Sequence, residues 1–331
     1  MRPASLACIA ATAACSFNAP SAATVDAPAN GGDASSDSGS DADLTKHESC
    51  QAHWMDHTIE FGAPVALTSV NSPTIDRDPF LSSDELTLIF SSDRPPSMSA
   101  DIWITTRATL GDAFMAPTQL PGAVNTPDYE GKMSFTDDGL LAVISTNHQM
   151  TQGPPGGGGP TDTNIWQATR DNTGMPFMAP SFDHLDNVNT TANEYDALIT
   201  PGGLHLYFAP ADTVEQQLAF TTRNGLDDDW NTPALIAELN TGNGEADPAL
   251  SLDELVITFS SGRPATHGGS NLWYATRNAV GGTFGTAYEV AGVNGDSNEG
   301  DGWLSRDLCR LYFASDVGGS YDLYMATSIA P

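Results

Sequence analysis

A chain of 331 residues with 40% hydrophobic content can bury one large core or two ordinary ones. Its 31 glycines and 22 prolines favour many short strands joined by turns over long helices. With 12 Lys and Arg against 42 Asp and Glu, the net charge is −30, which repels phosphate backbones and excludes a nucleic-acid partner. Solubility, cations or basic partners remain as uses of such a surface.

The first element, residues 1–15, reads MRPASLACIAATAAC. Arg2 precedes a short apolar run from Ala4 to Ala14, the layout of a secretory signal peptide. The ending TAAC resembles a bacterial lipobox, with Thr12 where leucine is usual, and marks Cys15 as the lipidation site. Cleavage further on, after Ala23, is the alternative of plain secretion. The expectation is an exported lipoprotein of the outer membrane or periplasm. It would meet a membrane only through the anchor, because no other stretch approaches the ~20 apolar residues of a span.

Residues 16–60 read as a tether and lead-in. Their first part, rich in Ala, Ser, Gly, Asp and Pro, has little to bury and suits a self-repelling spacer. Asp37, Asp41 and Asp43 lie there without the spacing of a calcium loop. Of the four cysteines, Cys8 and Cys15 fall in the leader. The remaining two, Cys50 and Cys309, suggest one disulfide in an exported protein.

From residue 61 the chain repeats itself. PFLSSDELTLIFSSDRP (79–95) and PALSLDELVITFSSGRP (248–264) share 11 of 17 positions. Five units open on an aromatic residue and pass to an asparagine: Phe61 to Asn71, Phe114 to Asn125, Phe177 to Asn189, Trp230 to Asn240 and Phe284 to Asn294. The longest interval holds an insertion, GPPGGGGP (153–160). Each unit continues with a short segment, a tight turn, an apolar run such as LTLIFSS or LHLYFAP, and a last run such as DIWITTR or NLWYATR. Runs of four to seven residues rich in Val, Ile, Leu, Thr and aromatics, bounded by Gly, Pro, Asp and Asn, are strands. No window holds a helical period.

Four strands per unit, five times over, predict an all-β, five-bladed β-propeller of four-stranded antiparallel blades over residues 61–328. A solenoid would need atypical capping repeats, which neither end supplies. The last unit stops after DLYMATS without an outer strand, so the N-terminal strand at about 61–70 should complete it and close the ring. That closure would bring Cys50 towards Cys309.

The phrase D-P-x-L-S-x-D-x-L-x-x-x-F-S-S-x-R-P, followed by D-I-W-x-x-T-R, resembles the TolB-type, WD-like propeller repeat of bacterial envelope proteins, strongest in units one and four. TolB's separate N-terminal domain has no counterpart in residues 16–60. The resemblance implies a monomeric, exported propeller that serves as a binding or scaffold platform for a protein or glycan at the cell envelope.

Candidate site residues cluster ahead of the innermost strands, at the expected mouth of the central channel. Glu130, Glu194, Glu245 and Glu299 recur there, with Asp78, Asp196, Asp247 and Asp301 beside them, and unit one carries Arg77 in place of the glutamate. Such a ring is either a hard-cation site, with calcium the natural ion and Asp196, Asp247 and Asp301 its ligands, or a structural signature that every blade needs. Arg94 and Arg263 should share that face, and Tyr129 and Tyr195 are the aromatic residues best placed to meet a ligand. The arginines that end the last runs (Arg107, Arg170, Arg223, Arg277) are expected to pair with carboxylates and organise the blades. No H-E-x-x-H or G-x-S-x-G motif is present, and near-equivalent carboxylates argue against separate acid and base roles. The expectation is therefore no enzyme, with a glycoside hydrolase using the channel carboxylates as the alternative.

Overall fold

The structure is a computed structural model, described for residues 50–96, 99–147, 162–211 and 215–329. The expected leader, the Cys15 lipidation site, most of the tether and the glycine-rich insertion lie outside the described residues.

Five antiparallel sheets follow one another along the chain. A single outer pair, β1 (Val65–Ala66), precedes them. Blade one holds β2 (Asp76–Leu81), β3 (Thr87–Ser92), β4 (Asp101–Thr106) and β5 (Thr118–Gln119). Blade two holds β6 (Glu130–Phe135), β7 (Leu141–Thr146) and β8 (Asn164–Thr169), and its outer position is filled by a bridge between Gln167 and Ser181. Blade three holds β9 (Asn193–Ile199), β10 (His205–Ala211), β11 (Ala219–Thr222) and β12 (Ala234–Leu235). Blade four holds β13 (Glu245–Leu250), β14 (Val256–Ser261), β15 (Asn271–Thr276) and β16 (Tyr288–Glu289). Blade five holds β17 (Glu299–Leu304), β18 (Arg310–Ser315) and β19 (Asp322–Thr327), completed by β1. The inner strands β2, β6, β9, β13 and β17 touch in sequence and β17 touches β2, which makes the array a closed ring. The chain is an all-β, five-bladed propeller.

The repeated letters have physical jobs. Each unit's asparagine folds back on its own blade and copies a peptide group. Asn189 Oδ1 accepts from Ile165 N (2.9 Å) while its Nδ2 donates to Ile165 O (2.8 Å), and Asn71, Asn125 and Asn240 bracket Leu323, Ile102 and Leu218 in the same way. Those two bonds continue the ladder where the outer strand is only two residues long. The arginines ending the third strands stack on the unit's opening aromatic: Arg107 on Phe114, Arg170 on Phe177, Arg223 on Trp230 and Arg277 on Phe284, at 4.3–4.5 Å. Their Nε groups donate to the carbonyls of the turn residues Glu85, Gly139, Gly203 and Glu254. Carboxylate pairing, expected for all four, is found for Arg107 with Glu85 and Arg277 with Glu254.

Those two glutamates explain the twin phrases. Glu85 reaches from blade one to Arg310 (2.6 and 2.9 Å) and Tyr312 (3.1 Å) of blade five. Glu254 reaches from blade four to His205 (2.8 Å) and Tyr207 (3.3 Å) of blade three. At the junction of blades four and five the equivalent residue is Leu308, and the lead-in takes over. Residues 50–55 form a short helix, which the strand pattern of the sequence did not foretell. Buried Trp54 donates Nε1 to Leu308 O (2.9 Å), and Cys50 is bonded to Cys309 with Cα atoms 5.4 Å apart. Residues 50–60 therefore belong to the folded body, ahead of the expected start at residue 61.

Candidate functional site in the central channel

Every inner strand carries a β-bulge near its start, and the bulge sets what faces the channel. The ladder aligns Asp76, Glu130, Glu194, Glu245 and Glu299, opposite Ser92, Thr146, Pro210, Ser261 and Ser315. Unit one thus keeps the acidic pattern through Asp76, and Arg77 occupies the next position. These five carboxylates are buried inside the strands rather than displayed on loops. Each accepts hydrogen bonds from the loop four residues upstream. Thr126 N donates to Glu130 (3.0 Å), Thr190 N to Glu194 (3.1 Å), Thr241 N to Glu245 (3.0 Å), Gly295 N to Glu299 (2.9 Å) and Ser72 N to Asp76 (2.6 Å). Burial pushes Glu130 and Glu194 up to about 7 against the pull of those bonds. Arg94 and Arg263 are braces of the same level. Arg94 pairs with Asp76 at 2.5 Å and Arg263 with Glu245 at 3.2 Å, each over two aromatic rings of its blade. The glutamate ring is bonded within its own blades, with Glu194 Oε2 left without a hydrogen-bond partner among the described residues.

Two residues further on, the same alignment gives Asp78, Lys132, Asp196, Asp247 and Asp301. The four aspartates hold φ between 55° and 58°, a left-handed conformation that Asp tolerates better than most residues. Carboxylate oxygens of Asp78, Asp196 and Asp247 lie within 4.8 Å of one another. Bonds tie the level together: Asp247 N donates to Asp196 (3.3 Å), Asp301 N to Asp247 (3.4 Å), Ser91 Oγ to Asp78 (2.6 Å) and Gln216 Nε2 to Asp196 (3.3 Å). Buried Lys132 is the cation of the level, and its Nζ donates to Pro248 O (3.2 Å). Burial, then Asp247 and Asp78, hold Asp196 and Asp301 well above the ordinary carboxylate range. Burial opposes ionisation of Asp247 too, but Lys132 and bonds from Asp301 and Ser260 hold it below that range. The cluster is asymmetric: its surroundings favour the charged form of Asp247 and disfavour that of Asp196 and Asp301.

Tyr129 and Arg77 sit beside this level. Half-buried Tyr129 packs so tightly beside Gly131 that a Cβ there would lie 2.6 Å from its hydroxyl, and Arg77 covers the ring at 5.6 Å. Burial and Asp78 push the Tyr129 hydroxyl far above its ordinary value. Tyr195 is half-buried on β9, opposite Ala209. The structure thus brings Tyr129, Asp196, Asp247 and Asp301 together, and separates them from the glutamates and from Arg94 and Arg263.

The other end of the channel is open, and the sequence reading missed it. Beyond the bulge the inner strands contribute Phe80, Phe135, Leu198, Leu250 and Trp303 to a cup of about 390 Å³. Its rim comes from the first turns of the blades: Ser82 to Asp84, Thr136 to Asp138, Thr200, Ser251, Leu252 and Arg306. The signal was present in the short segments after the acidic residues (PFLS, MSFT, ALIT, PALS, GWLS), whose apolar letters were read only as strand.

No family model matches the sequence, and no curated protein does. Solved structures do. The fold is similar to a putative TolB from Agrobacterium tumefaciens, at 15% identity over 74% of this chain and 71% of that one, with a TM-score of 0.45. The likeness is one of propeller fold. It is also similar to the α-L-arabinofuranosidase PaAbf62A from Podospora anserina (11% identity, 82% and 97% covered, TM-score 0.51) and to a thermostable family-43 glycoside hydrolase (11%, 78% and 90%, 0.52). At such identities the likeness is one of fold. It nevertheless corrects the expectation of no enzyme, because chains that share this propeller fold are glycoside hydrolases. The reasoning behind that expectation fails as well, since the aspartate level is not a set of equivalent copies.

Proposed function

We propose that the protein is an exported, lipid-tethered, monomeric propeller that binds a protein segment in the apolar cup at the open end of its channel. The cup itself carries this reading. A cavity of about 390 Å³ with an apolar floor and a polar rim lies in the range of ligand sites. A glycan partner suits it less well, because the floor is aromatic and aliphatic with only the Trp303 indole N–H to donate, and four rim hydroxyls are engaged within their own turns. Ser82 donates to Asp84, Thr136 to Asp138, Ser251 to Asp253 and Thr200 to His205 O. An apolar side chain needs neither. Burying one there gains about 1.5–3 kcal/mol before association costs, so a short probe should bind weakly, with a Kd of about 10 mM or more.

Compartment and oligomeric state rest on separate supports. The Cys50–Cys309 bond suits an oxidising environment, alongside the signal-like leader. Outer strands of two residues, β1, β5, β12 and β16, leave little edge for pairing between copies. Mass spectrometry of the mature N-terminus tests the anchor: a diacylated Cys15 is expected, and an unmodified start beyond Ala23 would replace the anchor with plain secretion. For the cup, methyl-detected NMR of the full chain with Ac-Ser-Phe-Ser-NH2 as probe should shift the methyls of Leu198, Leu250 and Leu252. Shifts confined to other residues, or none, would sink the reading.

One observation favours a second reading, glycoside hydrolysis at the aspartates. Carboxylate oxygens of Asp78, Asp196 and Asp247 lie within 4.8 Å of one another, and Asp247 is pushed the opposite way from Asp196 and Asp301, as separate acid and base roles require. Tyr129 and Arg77 would have to move to admit a sugar. Calcium held by Asp78, Asp196 and Asp247 is the cofactor form of this reading. Turnover of p-nitrophenyl α-L-arabinofuranoside that Asp247→Asn abolishes would establish it. Absence of turnover, together with a melting temperature equal in calcium and in chelator, would remove both forms.

A further inference from the structure

The cup has a charge preference as well as an apolar floor. Resting on the reading of the cup as a binding site, we infer that its ligand is a polypeptide segment presenting an apolar side chain next to lysine or arginine. The floor is uncharged, so selection falls to the rim. Asp84, Asp137 and Asp138 stand there exposed, against the single cation Arg306. Asp84 and Asp138 are fixed in place, because each carboxylate also accepts from its own turn: Leu86 N to Asp84 (3.0 Å) and Leu140 N to Asp138 (3.0 Å). They therefore present a negative edge without first losing side-chain freedom.

The surroundings extend both features. The second turns of the blades open on the same face as the first, and they expose Leu110, Met175, Leu226 and Val280, each about half accessible. Gly203, in a first turn, lies against Leu226, in a second, which joins cup rim and outer ring at blade three. A segment crossing the cup thus finds apolar footholds outside it. The net charge of −30 draws basic segments from a distance and repels acidic ones. A free carboxylate ligand, the choice Arg306 alone would make, meets three aspartates on the same rim.

Three probes on the full chain separate this inference from the reading it rests on: Ac-Lys-Phe-Lys-NH2, Ac-Ser-Phe-Ser-NH2 and Ac-Glu-Phe-Glu-NH2, each titrated while the Leu198 and Leu250 methyls are followed. The lysine probe should bind tightest and the glutamate probe weakest. Raising NaCl from about 0.05 to 0.5 M should shrink the gap. Asp137→Asn should weaken the lysine probe by about two- to five-fold, and Arg306→Gln should strengthen it by a similar factor. Both positions are exposed, so folding is not at stake. Equal binding of the three probes would overturn the charge preference and leave the cup standing. Tightest binding of the glutamate probe would overturn it in favour of Arg306. No response of the cup methyls to any probe would overturn the cup and the inference together.

Discussion

The two ends of the central channel are made by the same five strands, two or three residues apart, and they are opposites. At one end Asp78, Lys132 and Asp301 are buried and Asp196 and Asp247 half-buried, with hydrogen bonds linking the aspartates and Arg77 lying over the Tyr129 ring beside them. At the other, Phe80, Phe135, Leu198, Leu250 and Trp303 line an open cup. Gathering like charges is costly, and the acidic end offsets it with Lys132 and with hydrogen bonds between the aspartates. Exposing apolar floor is also costly, and a fold that leaves such a cup open gains most when something fills it. The difference teaches that a repeated acidic motif can be blade architecture while the binding surface lies among letters that look like ordinary strand.

The comparison breaks most visibly at Lys132. Replacing it with methionine removes the cation among four aspartates and should cost about 3–5 kcal/mol in urea unfolding. A cost below about 1 kcal/mol would mean that the acidic end is as wet as the cup. A smaller effect of opposite sign is expected from Asp301→Asn. The folded state holds the Asp301 proton more tightly than the unfolded chain, so wild-type stability falls as pH rises from the ordinary aspartate range towards the raised folded value. The variant lacks that slope. It should be more stable than wild type at neutral pH, with the advantage vanishing on acidification.

Glu194→Gln should behave alike one level up, gaining on wild type between about 4.5 and 7 and holding a constant difference above that. At the cup the effects move from stability to binding. Trp303→Leu should weaken the lysine probe by about ten-fold, or about 1.4 kcal/mol. Smallest of all, Leu252→Ser should leave unfolding within about 0.5 kcal/mol of wild type and weaken the probe by about two- to three-fold.

Much of the fold was legible because its devices are local. The asparagine that copies a peptide group, the arginine stacked on the opening aromatic, and the Asp-Glu-Leu turn each act within one blade or on its neighbour, so each leaves a letter at a fixed place: the asparagine in all five units, the arginine in four, and Asp-Glu-Leu in units one and four. Ring closure by Val65–Ala66 was legible from the missing outer strand of the last unit. The site was less so. Counting back from the serine or threonine that ends the inner strand (DRDPFLS, EGKMSFT) would have put Asp76 in the glutamate row and Lys132 among the aspartates. Matching the letters DRDP to DYEG instead slipped the register by two. The cup left no repeated letter at all, because any apolar residue serves as floor. Helix 50–55 was hidden by its six-residue length, too short for a period to register.

The central claim is that ligand enters at the apolar end of the channel. The most direct measurement is a chemical-shift map of the full-length protein with saturating Ac-Lys-Phe-Lys-NH2. The account predicts changes centred on Leu198, Leu250, Leu252 and Trp303, with Tyr129, Tyr195 and Lys132 unmoved. Changes centred on Tyr129 and Lys132, with the cup silent, would place the binding site at the aspartates and contradict it.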